Sequence, residues 1–212
     1  MIRYDFEVED LVRTRLAISP MWETAAAIRA LRSPELLALH LPWIKRVRPL
    51  VADLDLTLAN ALLPPRGYMA DFLTPPPSTP LASFEDELAL VRGTTDEQIQ
   101  ADVEALQTFG NPTESLQPFR DDPRGSLAQL ADVLDEFWRR AVEPDWPRIR
   151  SMLEGDLMYR SRLLSEGGAE RLFADLHPDV KWVDGGLEIT MDCTVRMALK
   201  GRGLVLVPSA FT

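Results

Sequence analysis

The sequence contains little of the chemistry that most metal sites and covalent catalysts use. Its 212 residues include one cysteine, Cys193, and two histidines, His40 and His177. A single cysteine excludes an intramolecular disulfide and a zinc–thiolate cage. Two histidines leave little material for a transition-metal site. The sequence therefore predicts neither a metal nor a cofactor.

Targeting and membrane-spanning segments are also missing. The N-terminus alternates apolar and charged residues, so it lacks the apolar stretch of a signal peptide. No uncharged run approaches the roughly 18 apolar residues of a membrane span. We therefore expect a cytoplasmic protein without a membrane partner.

Positive charge is scarce relative to negative charge. The chain has 33 acidic and 23 basic residues, which gives a net charge of −10. Because phosphate contacts need clustered positive charge, the chain is not expected to bind nucleic acid over its surface. Hydrophobic residues make up 46% of the chain, which is typical of a folded globular protein rather than a disordered one.

Motifs of catalysis are absent as well. The sequence has no Gly-x-Ser-x-Gly elbow, no P-loop and no Gly-x-Gly-x-x-Gly after a strand. Cys193 falls on the apolar side of an alternating segment, which indicates a structural thiol. Asp132, Asp135 and Glu136 lie opposite an apolar helical stripe, where a solvated face belongs. We therefore do not expect an enzyme.

Two segments alternate with the period of a β-strand. Residues 2–8 are one, and residues 187–200 give the stronger pattern. The glycines of residues 201–203 predict a tight turn, after which Leu204–Val207 would form a partner strand. Val180–Val183 is a further predicted strand. These segments predict a small antiparallel sheet made by the N-terminal strand and a C-terminal hairpin.

Helical periodicity dominates the rest of the chain. Ser19-Pro20, Ser83 and the capping box that opens at Thr95 are typical helix starts. The first predicted helix begins at Pro20. Further predicted helices cover residues 35–45, 50–63, 83–92, 95–109, 126–141, 146–164 and 169–176. The fold class is therefore α+β, as a single domain over 1–212 that is mainly helical in 1–176 and β-rich in 177–212.

Large aromatic side chains are the remaining candidates for function. A proline-rich loop at residues 64–80 carries four large apolar residues and is expected to pack down rather than dangle. An apolar pocket between helices would suit a small molecule. Its candidate ligand-binding residues are Trp22, Tyr68, Phe72, Trp138 and Trp146, with Glu23, Arg66 and Asp71 as polar handles. Aromatic stripes at helical spacing are also typical of a core, which is the competing interpretation.

Three stretches together resemble a known family. They are Pro65-Arg66-Gly67-Tyr68-Met69-Ala70-Asp71-Phe72-Leu73-Thr74-Pro75, then Trp146-Pro147-Arg148-Ile149-Arg150, and finally Gly201-Arg202-Gly203-Leu204-Val205-Leu206-Val207-Pro208-Ser209-Ala210-Phe211. The opening, from Phe6 to Arg15, fits as well. In this order they resemble the N-terminal, non-DNA-binding region of actinobacterial ArsR-like winged helix-turn-helix transcriptional regulators.

The resemblance implies a regulatory function. In that family the winged helix follows the segment that ends here, and no such module comes after Phe211. The abrupt stop after an apolar strand favours a fragment of a longer polypeptide over a short natural C-terminus. The resemblance implies an effector-sensing and dimerisation domain: a homodimer with a small apolar effector, which contacts DNA only through the missing module.

Two other functions remain open. The chain could be a ligand-free protein-interaction or oligomerisation module, in which the aromatic residues form core and interface. It could also be an unrecognised enzyme that acts on a small apolar substrate, which carboxylates with strongly shifted pKa values in a cleft would favour.

Overall fold

The computed structural model of the chain describes residues 1–32, 38–65, 67–174, 176–190 and 194–211. The fold is α+β and mainly helical, with a small sheet, as the sequence predicts. The strands are β1 Ile2–Asp5, β2 Arg15–Leu16, β3 Val180–Val183, β4 Gly186–Ile189, β5 Val195–Ala198 and β6 Val205–Leu206. The helices are α1 Val8–Arg13, α2 Pro20–Arg32, α3 Leu41–Val47, α4 Thr57–Leu62, α5 Phe84–Arg92, α6 Asp96–Thr108, α7 Thr113–Asp121, α8 Pro123–Phe137 and α9 Trp146–Ala174.

The chain divides into two compact units. Unit 1 consists of Met1–Ile18 and Ser151–Pro208, and unit 2 consists of Ser19–Arg150 together with the segment that starts at Ser209. Unit 1 contains both sheets, whereas unit 2 is helical. The prediction of a single domain over 1–212 stays a prediction.

The main sheet of unit 1 is mixed, so the prediction of a purely antiparallel sheet was wrong. Its strand order is β3-β4-β1-β5. β1 pairs antiparallel with β4 and parallel with β5, so the N-terminal strand lies between two C-terminal strands. The alternation predicted over residues 187–200 therefore belongs to two strands on opposite sides of β1. Residues 191–193, including Cys193, lie outside the described residues.

The predicted C-terminal hairpin is also not formed. β6 pairs in parallel with β2, which follows α1, and these two strands make a separate sheet. The N-terminal strand is shorter than the predicted Ile2–Val8, because Glu7 and Asp10 form a capping box that begins α1 at Val8. Alternation alone did not reveal this early helix start.

An aromatic cluster forms the core of unit 1. The rings of Phe173 and Trp182 stack with their centroids 5.0 Å apart, and Phe6 meets both rings edge-on. Leu172, Phe173 and Leu187 are buried at its centre. Phe173 reaches the sheet from the last part of α9, after a break at Gly167 and Gly168 where the backbone leaves the helical conformation. The predicted stop at this glycine pair is thus confirmed.

A buried aspartate joins α1 to the turn before β6. Asp10 is fully buried, and its carboxylate accepts the N–H groups of Glu7 at 2.8 Å and Gly203 at 3.0 Å. Gly203 has a positive φ of 71°, and a Cβ atom there would lie 2.6 Å from the carbonyl carbon of Arg13. The turn can therefore approach α1 this closely only with glycine at this position.

Unit 2 is built from capped amphipathic helices. Ser19, Ser83 and Thr95 accept backbone N–H groups at the starts of α2, α5 and α6, as predicted. The predicted cap at Ser126 was wrong, because Asp122 caps α8 and the helix begins at Pro123. The helices bury Met21, Ile28, Leu62, Leu63, Leu73, Ile99, Leu106, Leu116, Phe119 and Phe137 at less than 2% exposure.

Some predicted helices of unit 2 are shorter than expected. For the helix predicted at 35–45, residues 38–40 form a 3-10 helix and α3 follows, while residues 35–37 lie outside the described part. The segment 50–63 is helical only at its ends, in a 3-10 helix to Val51 and in α4. α7 was not predicted, because Pro112 and Pro118 flank and interrupt its pattern.

The proline-rich loop packs down, as predicted. Ala70, Phe72 and Leu73 are buried within residues 64–80. Leu62 accepts the backbone N–H of Ala70, which fixes the loop against the end of α4. Within the described ranges, no helix has both the length and the apolar character to cross a membrane.

We expect Asp10→Ala to destabilise unit 1 selectively. The substitution removes the acceptor of two backbone N–H groups and leaves them in a buried place, so the melting temperature should fall by several degrees. Glu170→Ala, at an exposed position of α9, is the matched control and should change little. Thermal unfolding followed by circular dichroism measures both, and an equal effect of the two substitutions would contradict the role of Asp10.

Candidate functional site

Two glutamates lie inside the helical unit 2. Glu23, on α2, is 0% exposed, and Glu87, on α5, is 1% exposed. Charged groups are almost never fully buried unless they are paired, because desolvation of a carboxylate costs several kcal/mol. Neither glutamate has an ion pair in the described structure, so what compensates for their burial is informative.

Glu87 binds the start of α2 from the neighbouring helix. Its Oε2 atom accepts the hydroxyl of Ser19 at 3.0 Å and the backbone N–H of Met21 at 2.8 Å. The Ser19 hydroxyl oxygen in turn accepts the backbone N–H of Trp22. The other carboxylate oxygen, Oε1, is buried without a hydrogen-bond partner among the described residues. Glu87 therefore acts as an extra cap on α2, where the helix dipole favours negative charge.

Glu23 binds the last described segment of the chain. The backbone N–H of Ala210 lies 3.1 Å from its Oε1 and 3.0 Å from its Oε2, and the Ser209 hydroxyl donates a further hydrogen bond. The N–H of Ala210 thus has its acceptor in the interior of unit 2. The segment is held there by a buried carboxylate rather than by strand pairing.

Aromatic packing fixes the next residue of the same segment. The ring of Phe211 lies 4.6 Å from that of Trp43 and 5.3 Å from that of His40, centroid to centroid. Phe211 is 5% exposed. The indole Nε1 atom of Trp43 is buried without an acceptor in the described structure. Residues 209–211, Glu23 and these rings are called the anchor site below.

Burial changes the protonation of both glutamates. It raises the pKa of Glu23 from 4.5 to about 7, against the opposing hydrogen bonds from Ser209 and Ala210. It raises the pKa of Glu87 from 4.5 to about 7 in the same way, against the hydrogen bonds from Met21 and Ser19. Both carboxyl groups are therefore partly protonated near neutral pH.

A second polar cluster closes the proline-rich loop. The Tyr68 hydroxyl donates to Asp102 Oδ1 at 3.1 Å, and the N–H of Phe72 donates to Asp102 Oδ2 at 2.9 Å. Tyr68 also shares a hydrogen bond with Asp71. Burial and the charge of Asp102 raise the pKa of Asp71, against the opposing hydrogen bond from Tyr68.

The five residues predicted to bind a ligand have different surroundings in the structure. Trp138 stacks on Phe84 at 4.5 Å between ring centroids and meets Trp146 edge-on at 5.2 Å. Tyr68 and Phe72 belong instead to the cluster around Asp102, and Trp22 has no ring contact with the other four in the described structure. Contacts thus join four of the five residues in two groups.

The three predicted polar handles lie in different parts of the chain. Glu23, predicted beside Trp22, is the centre of the anchor site, and Asp71 belongs to the loop cluster. Arg66 lies outside the described residues. Glu87 was missed, although its spacing from Phe84, Leu88 and Val91 puts it on the buried side of α5. A charged residue in the apolar stripe of a helix was the signal that could have revealed it.

Among the described residues, no group of three or more His, Cys, Asp or Glu side chains could hold a metal ion. No family model, no curated protein and no solved structure matches the chain. The anchor site combines a proton-exchanging carboxyl, an unpaired indole N–H and apolar rings.

We expect the stability of the protein to fall as the pH rises from 5 to 8. Glu23 and Glu87 bind a proton more tightly in the folded chain, so their contribution is complete below about pH 4.5 and is lost as the pH rises through about 7. Each can account for about 3 kcal/mol, since one pKa unit corresponds to about 1.4 kcal/mol.

Urea unfolding of the wild type, Glu23→Gln and Glu87→Gln across this pH range tests the expectation. Each glutamine variant should have a flatter profile than the wild type. His40 contributes a slope of opposite sign, because burial lowers its pKa, so the comparison rests on differences between variants. Identical profiles for all three proteins would contradict it.

We expect Trp138→Ala to cost about 3 to 5 kcal/mol of unfolding free energy, because it leaves a cavity between Phe84 and Trp146. Trp22→Ala, at a partly exposed position, is the matched control and should cost much less. Urea unfolding measures both. A loss for Trp138→Ala no larger than the loss for Trp22→Ala would show that Trp138 is not a packing residue.

Proposed function

We propose that this chain is the effector-sensing and dimerisation domain of a bacterial transcriptional regulator, and that it contacts DNA only through a winged helix outside this sequence. The resemblance to the N-terminal region of actinobacterial ArsR-like regulators suggests the class. The acidic net charge of −10 supports a domain that does not itself bind DNA. The proposed location is the cytoplasm, where such regulators act.

The anchor site is the single observation that carries this proposal. In the regulators that the chain resembles, the winged helix follows the segment equivalent to residues 201–211. Here, Ser209 and Ala210 donate hydrogen bonds to the buried Glu23, and Phe211 packs on Trp43. A change in the helical unit at this point would therefore reach the start of a following module directly.

The proposed mechanism is competition at the anchor site. A small apolar effector with a hydrogen-bond acceptor would satisfy the Trp43 indole N–H and displace the Phe211 ring, while a change in the charge of Glu23 would alter its hold on Ala210. The effector would thus favour one of two arrangements of residues 209–211. Such a shift needs only a difference in effector affinity between the two arrangements.

A ligand-free interaction module is the second candidate function. It is favoured by Trp138, which is 4% exposed and enclosed by Phe84 and Trp146. An aromatic residue used in this way supplies packing rather than an open binding surface. In this case Glu23 would only fasten the chain end.

Native mass spectrometry of the purified chain, beside a denatured sample, tests the proposal. We expect extra mass of a small molecule in the native spectrum only. Hydrogen exchange at residues 209–211 should then differ between the protein as purified and protein that was unfolded, dialysed and refolded. Glu23→Gln should speed exchange in this segment, whereas the matched control Glu87→Gln should not.

Each outcome bears on one of the two functions. A native spectrum without extra mass, together with equal exchange before and after refolding, would contradict effector sensing and leave the interaction module. Equal exchange at 209–211 in Glu23→Gln and the wild type would contradict the role of the anchor site.

A further inference from the structure

Exposed apolar side chains are concentrated in unit 1. Among the described residues, eleven of the seventeen exposed large apolar side chains lie in this unit, which is the smaller of the two. Four of them, Met152, Met158, Tyr159 and Leu164, lie on α9. Met158 is 75% exposed. Exposed apolar groups that cluster on one element are typical of an interaction surface.

The charge of unit 1 suits contact with a second copy of itself. Unit 1 contains ten basic and thirteen acidic residues, whereas unit 2 contains thirteen basic and twenty acidic residues. Two acidic surfaces repel each other, so the nearly neutral unit can self-associate at the lower electrostatic cost.

The helix face around Met158 is self-complementary. At 100° per residue, residues three, four and seven positions away on either side of Met158 lie on its face. Gly155 and Ser161 are three positions away, Glu154 and Arg162 are four positions away, and Ser151 and Ser165 are seven positions away. Each small residue before Met158 thus has a small counterpart at the same distance after it. The acidic Glu154 likewise has a basic counterpart, Arg162.

An antiparallel pair of such helices matches these counterparts with one another. If a two-fold axis passes at Met158, the residue n positions before it faces the residue n positions after it in the partner. The Glu154 position then faces the Arg162 position, and this contact occurs twice by symmetry. A parallel pair would instead set glutamate against glutamate and arginine against arginine.

The small residues let the two helices come close. A Cβ atom added at Gly155 would meet nothing within 4 Å, so this position is open to a neighbour. The face from Ser151 to Ser165 is about 21 Å long at 1.5 Å per residue. Met152 and Tyr159 widen it on one edge with further apolar area.

Arg162 can make this contact while it keeps its partner on α9. Arg162 donates to Glu166 at 2.6 Å on its own helix, and its side chain is 76% exposed. Its guanidinium has donors enough to hold Glu166 and a partner's carboxylate together. Asp156 and Arg160 form a pair at 3.5 Å on the opposite side of the helix, two positions before and after Met158.

We propose that the outer face of α9, from Ser151 to Ser165, is an antiparallel two-fold interface between two copies of this chain, with Met158 at the axis. The inference rests on the dimerisation part of the proposed function and gives it a surface and a geometry. The occupant is a second copy, because the face matches itself in size and in charge.

Charge reversal tests the geometry by sedimentation equilibrium of the whole chain over about 1 to 100 µM, a range suited to a modest interface. Glu154→Arg and Arg162→Glu should each weaken the dimer about tenfold or more, because like charges then face each other. The double variant restores opposite charges and should bind within about threefold of the wild type. Met158→Glu, which brings two carboxylates to the axis, should leave a monomer.

Leu90→Glu, at an exposed position of α5 in unit 2, is the matched control and should dimerise like the wild type. Circular dichroism melts establish that each variant is folded. A dimer that is insensitive to both single reversals would overturn the α9 interface and leave dimerisation itself standing. A double variant that fails to recover would overturn the antiparallel register. A wild-type monomer at every concentration would overturn the interface and dimerisation, but not effector sensing, which native mass spectrometry decides.

Discussion

The cost of a buried carboxylate is the constraint on which the helical unit depends. Glu23 and Glu87 have no cationic partner in the described structure, so backbone N–H groups and serine hydroxyls must compensate for their desolvation. Glu87 ties α5 to the start of α2, and Glu23 ties α2 to residues 209–211. A hydrophobic residue of similar size would cost less free energy to bury at either position. It would, however, bind neither the start of α2 nor residues 209–211.

Glu23 also makes one contact depend on conditions. With its pKa raised by burial to about 7, the carboxyl group is a mixture of two protonation states near neutral pH. The ionised form is the stronger acceptor for the Ala210 N–H, whereas the neutral form is the cheaper one to bury. The free energy that holds residues 209–211 on Glu23 is therefore a small difference between these two large contributions. Such a contact responds to a bound molecule more readily than a hydrophobic one would.

The sequence predicted the fold class and the starts of α2, α5, α6 and α9, because capping residues and apolar periodicity act locally. Ser83 and Thr95 begin their helices where expected, and the proline-rich loop packs as expected. Strand pairing could not be predicted, because the parallel partner of β1 is almost two hundred residues away. For the site, Glu23 was accessible from the sequence as a polar handle, whereas its partner Ala210 was not. Trp138 was predicted to bind a ligand because its side chain is large and aromatic. A side chain of this kind can equally pack in a core.

The central place of β1 in its sheet has a consequence for biosynthesis. β1 is made first, yet both of its neighbours, β4 and β5, come from the last part of the chain. The sheet therefore cannot assemble until residue 198 has left the ribosome, and closing so long a loop is slow. Helices α6, α7 and α8 contact their neighbours along the chain and can fold while synthesis continues. β1 therefore stays unpaired while the residues between it and β4 are made, and during that time its unpaired edges need protection from aggregation.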